Sequence, residues 1–67
     1  MANVWFKSRL AAIATRERSV WVQPVGRGYA DIIRNGRRFR FSHETITRDE
    51  TGAATTWLVF EDAGATV

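Results

Sequence analysis

The hydrophobic pattern changes period once along the chain. Phe6, Leu10, Ile13 and Ala14 recur at helical spacing and make one narrow apolar stripe, with Asn3 placed to cap its start. This spacing predicts a helix over 3–18, with Lys7 and Arg18 flanking one side of the stripe and Arg9 and Arg16 the other. Trp5 lies off the stripe, near Arg9 and Arg16, and a rival reading makes Val4 to Phe6 a short strand. From Ser19 onward the period is that of a strand. Val20 to Gln23 reads as a short strand closed by Pro24, which has no N–H to give to a ladder. Gly26-Arg27-Gly28 reads as a turn.

The sharpest local signal is Asn35-Gly36 between the β-prone runs 29–34 and 37–42. A type I′ hairpin turn needs positive φ at both central residues, and Asn-Gly supplies it. That turn predicts the pairs Arg34–Arg37, Ile33–Arg38, Ile32–Phe39, Asp31–Arg40 and Ala30–Phe41. Ala30, Ile32, Phe39 and Phe41 then share a core face, and Asp31, Ile33, Arg38 and Arg40 the other. Beyond Phe41 the apolar parity shifts to Ile46, which predicts a bulge or bend near Ser42–His43. A second hairpin turns at Asp49 to Gly52 and returns through Thr55 to Phe60. Trp57-Leu58-Val59-Phe60 is apolar on both faces, as a central or doubly covered strand requires.

These elements predict an α+β fold in one domain spanning 1–67. Its N-terminal helix (3–18) would pack on an antiparallel meander of four or five strands (19–61), followed by a frayed tail (62–67). A small SH3-like β-barrel with a helical appendage is the alternative. Sixty-seven residues with 45% apolar content and eight aromatics give a thin core, and no cysteine can staple it. Oligomerisation or docking on a partner is therefore a further expected source of stability. The absence of cysteine, and of any apolar run long enough for a membrane, points to cytoplasmic residence. The first 18 residues, with Glu17 their only acid, are also poor in acids, as transit peptides are, but removing them would leave too little core.

The net charge of +3 conceals an asymmetry. Lys7 to Arg40 holds nine bases against Glu17 and Asp31, whereas Phe41 onward holds Arg48 against Glu44, Asp49, Glu50, Glu61 and Asp62. Such a split either makes a directional field or cancels if the fold interleaves the two halves. Arg far outnumbers Lys; Arg suits bidentate phosphate contacts, and a GC-rich genome gives the same bias.

Catalytic signatures are missing. Ser42-His43-Glu44 has triad residue types, but strand neighbours point to opposite faces, so Ser42 and Glu44 cannot both meet the imidazole. No metal-ligand spacing and no phosphate loop is present. The expectation is a non-enzymatic binding module with no cofactor, no metal, no membrane and no small-molecule substrate.

For partners, the hairpin predicts a basic nucleic-acid-binding tip of Arg34, Arg37, Arg38 and Arg40, supported by Arg9 and Arg16 on the helix. Arg34 opposite Arg37 is destabilising until an anion arrives. Arg27-Gly28-Tyr29-Ala30 resembles the opening of the RNA-recognition-motif signature, but Asp31 stands where its second aromatic belongs and the element order differs, so no residue is carried over. At the level of fold alone, the helix–sheet order and the basic strand within 29–60 resemble the small three-stranded DNA-binding modules of integrases, a likeness that assigns no residue. The rival expectation is a protein partner or homo-oligomer. The chain would then be an accessory, inhibitor or assembly protein of a phage or mobile element, with Trp5 and Trp21 as interface anchors.

Overall fold

In the structure, a computed structural model that describes residues 1–10 and 14–66, Val4 and Phe6 are both fully buried. Residues two apart lie about 200° apart around a helix but on one face of a strand, so their joint burial demands a strand. The segment predicted as a helix over 3–18 is instead two antiparallel strands, β1 (Ala2–Lys7) and β2 (Thr15–Val20). Among the described residues there is no helix, and the α+β expectation gives way to an all-β fold. Among the described residues there is neither the packed helix nor the helical appendage of the alternative. Leu10 and Ala14, expected on the apolar stripe, are exposed, and Ile13 lies outside the described residues. The spacing misled because Phe6 and Leu10 fall one helical turn apart by coincidence.

The remaining strands are β3 (Pro24–Val25), β4 (Gly28–Tyr29), β5 (Ile32–Arg34), β6 (Arg37–Arg48) and β7 (Ala54–Ala65). Five of them form one sheet in the order β2-β1-β7-β6-β5, curled into a half-barrel, and β3 pairs only with β4. β1 runs parallel to β7, so the sheet is not the antiparallel meander expected. β7 is central, and Trp57, Leu58, Val59 and Phe60 are all buried, as their two-sided apolar character requires. It also runs on through most of the predicted tail. Thr66 beyond it donates from its backbone N–H and its hydroxyl to the Gly36 carbonyl, at 2.8 and 2.9 Å. Val67 lies outside the described residues.

The Asn-Gly hairpin forms as its chemistry dictates. Asn35 and Gly36 have φ of 52° and 71°, and the pairs Arg34–Arg37, Ile33–Arg38 and Ile32–Phe39 stand in register. The ladder then stops, short of the expected Asp31–Arg40 and Ala30–Phe41 pairs. The Ala30 N–H is drawn away to the Gln23 carbonyl at 2.9 Å, which ties this strand to the β3–β4 hairpin. The predicted strand Val20 to Gln23 is replaced likewise: Val20 ends β2, and Pro24 begins β3. The register shift between Phe41 and His43 is the bulge that the parity change at Ile46 demands.

The inner face of the curl carries Val4, Phe6, Val20, Phe39, Leu58 and Phe60, with Tyr29, Ile32 and Phe41 packed against them. Phe6 meets Phe39 edge-on at 5.1 Å, and Phe41 links Phe60 to Tyr29 at 5.6 and 5.0 Å. Gly28 lets β4 reach this core, because a Cβ there would stand 3.1 Å from the Phe41 ring. Trp57 and Val59 are buried too, but on the outer face of the same strand. That second face holds the candidate site.

Candidate functional site

Cross-strand register arranges the outer face in rungs. One runs Arg16–Trp5–Val59–His43 across β2, β1, β7 and β6; a second sets Trp57 beside Thr45; a third runs Lys7–Glu61–Arg40. Between Ala2 and Val4 the β1–β2 register slips, and Ser19 takes up a φ of 59°, which leaves Arg18 on the outer face as well. The consequence is a small aromatic floor roofed by cations. The Arg16 guanidinium lies 3.8 Å from the Trp5 ring centre and 5.4 Å from that of Trp57. Arg18 stands 5.2 Å from Trp57, and Lys7 Nζ 4.3 Å from Trp5. The Trp57 indole N–H donates to Thr47 Oγ1 at 2.9 Å, which fixes its ring. Each such contact is worth about 0.5–1 kcal/mol at an exposed site, enough to orient an arginine without a carboxylate.

The predicted tip does not present free cations. Arg37 donates from Nε to Asp62 at 2.6 Å, and Asp62 also accepts from the Ser8 hydroxyl at 2.7 Å. Those two bonds, that from Arg37 first, hold the Asp62 carboxyl down to about 2. Arg34 reaches Glu17 at 3.6 Å and covers the Phe6 ring at 5.4 Å, so it closes the rim of the core. Arg38 and Arg40 both approach Asp31, at 3.3 and 3.8 Å, on the outer face. The like-charge strain between Arg34 and Arg37 is relieved internally, by Glu17 and Asp62. Of these four ion pairs only Arg37–Asp62 joins the basic half of the sequence to the acidic half, through the insertion of β7 between β1 and β6; the others lie within the basic half.

Among the described residues, no carboxylate stands at ion-pair distance from Lys7, Arg16 or Arg18. Of the six predicted nucleic-acid-binding arginines, the structure puts Arg16 on the edge strand β2, over Trp5 on the outer face, and Arg38 and Arg40 at the far side of that face. Arg34 and Arg37 are engaged at the inner rim. Arg9 is not on a helix but follows β1, where it lines an open groove with Arg37, Glu61 and Asp62. Trp5 is half-buried beneath Arg16, whereas Trp21 is 68% exposed.

Trp57, Arg18 and Lys7 belong to this face as well; the sequence reading assigns Trp57 to a buried central strand and Arg18 and Lys7 to one flank of a helix, and none of them to the site. Their signal was the alternation Trp5/Lys7 against Val4/Phe6, answered by Arg16/Arg18, which a helical reading of 3–18 scatters. Ser42 Oγ lies 2.8 Å from His43 Nδ1, while Glu44 stands opposite Leu58, on the inner side. No cluster of three metal-ligating side chains occurs among the described residues, and no helix there is long and apolar enough to cross a membrane. No protein family, no curated protein and no solved structure matches the chain.

Proposed function

We propose that this protein is a non-enzymatic nucleic-acid-binding module of the cytoplasm that uses the outer face of its sheet rather than the tip of its hairpin. The observation that carries this reading is the Arg16 guanidinium, held 3.8 Å from the Trp5 ring centre with no carboxylate partner among the described residues. A guanidinium oriented by an aromatic ring keeps its N–H edge for phosphate oxygens, and its orientation costs no ordering when the ligand arrives. Arg18 and Lys7 extend the cationic surface, and Arg38 and Arg40, weakly tied to Asp31, border it. Exposed pairs of that kind contribute about 0–1 kcal/mol and yield readily to a phosphate.

The test is the salt dependence of binding to mixed-sequence oligonucleotides. R16A/R18A should weaken binding and flatten the log–log salt slope by about 0.7–0.9 per lost phosphate contact. Unchanged affinity and slope in this variant would end the reading. A second reading, a protein-interaction or assembly component, is favoured by Trp21, whose large ring is left 68% exposed. A defined oligomer that loses its mass in W21A, with no polyanion binding, would establish it instead.

A further inference from the structure

Resting on that reading, we infer that the outer face selects single-stranded over double-stranded nucleic acid, by stacking an unpaired base on the Arg16–Trp5 pair. Three observations converge. First, duplex recognition through a groove needs a protruding element that can enter it, and neither of the two ribbons built on the long strand β6 qualifies. The β5–β6 tip has Arg37 committed to Asp62, and Arg34 turned to the inner face beside Glu17 and over Phe6. The β6–β7 ribbon projects past its neighbours, since β1 pairs with β7 only from Leu58 and β5 with β6 only to Phe39, but it ends in Asp49 and Glu50, which phosphates repel.

Second, the face offers what an exposed base uses and a paired one cannot reach. Guanidinium planes and aromatic rings both accept stacked bases, and here the guanidinium lies over the ring, 3.8 Å from its centre. Third, the cations flanking the stack are placed for the backbone of such a strand. Lys7 lies beside Trp5 and Arg18 beside Trp57, on the same face as Arg16. A base lying on Arg16 leaves Lys7 and Arg18 to take the phosphates on either side.

The experiment compares one fluorescein-labelled oligonucleotide of mixed sequence, single-stranded and annealed to its complement, in titrations with the wild-type protein and with R16K. Lysine keeps the charge but not the planar stacking surface. Stacking of one base should favour the single strand by about tenfold. The single-strand salt slope should be roughly 1.4, as expected for the two phosphate contacts of Lys7 and Arg18 at about 0.7 each. R16K should erase most of the strand preference while leaving the slope near its wild-type value. Equal or tighter binding of the duplex by wild-type protein overturns this inference and leaves the outer face as a general polyanion surface. Preference retained in R16K also overturns it, by removing Arg16 from the stack. Binding of neither form overturns the proposed function itself, so the two failures are distinct. Wild-type protein alone decides the strand preference, whatever the fate of the variant.

Discussion

Asp62 shows how one side chain can organise a corner of the fold. It accepts from Arg37, Ser8 and the Gly64 N–H, at 2.6, 2.7 and 2.8 Å, and so joins the start of β6 to the loop after β1 and to its own strand. With its carboxyl held from an ordinary 3.8 to about 2, the folded state binds that proton more weakly than the unfolded chain does. The stability this contributes is present in full above the ordinary value and is lost as pH falls through about 2. Urea unfolding at stepped pH should therefore show wild-type protein more stable than D62N at neutral pH, with the two curves converging between those values. A gap that stays constant through the window would mean that Asp62 ionisation is not linked to folding. Asp49 is held down too, first by the Thr51 hydroxyl and then by the Ala53 N–H, but there the bonds close only a local turn.

Among the elements, the β5–β6 hairpin is the most strictly specified. Gly36 has no heavy atom near where a Cβ would stand, so alanine there meets no clash, and its cost is that of a left-handed backbone. G36A should destabilise by about 1–2 kcal/mol. In a domain of this size that lowers Tm by roughly 4–8 °C per kcal/mol, readable by thermal circular dichroism. The same locality made this hairpin legible in the sequence, since two adjacent residues decide the turn and the turn decides the first three pairs. The bulge at Ser42 and the central position of β7 were legible for a related reason: apolar parity along a strand reports directly which face is buried. Of the N-terminal strands, only the short stretch Val4 to Phe6 was legible, as the rival to the helix, and it falls within β1; the rest was not. β2 is an edge strand whose residues are mostly polar, so it carries little apolar alternation of its own. β1 becomes a strand by pairing with a segment more than fifty residues away, which no local spacing announces. The helix stripe won by default, and with it the outer face vanished, because Trp5, Arg16 and Trp57 meet only once β1 lies between β2 and β7.

On the scale of the whole molecule, the curl leaves β2 and β5 as the two margins of an open sheet, and one contact spans them: Arg34 on β5 reaches Glu17 on β2 at 3.6 Å. The pair explains why an arginine predicted for an anionic ligand faces inward, since Arg34 shares the face of Ile32 and lies over Phe6. Both side chains are more than a third exposed, so the bond itself is weak. Its effect is to hold the curl at the seam where backbone hydrogen bonding is absent from the ladder. A double-mutant cycle with E17Q and R34M separates the charge interaction from the packing of the Arg34 stem over Phe6, which methionine largely preserves. The coupling should be roughly 0.2–1 kcal/mol at low salt. It should shrink toward zero at about 1 M salt, where the screening length falls to about 3 Å. A cycle that closes with no coupling at low salt would show that the margins are held by the aromatic core alone. Persistence of the coupling at high salt would instead mean that Glu17 and Arg34 are shielded from solvent in a more fully closed barrel.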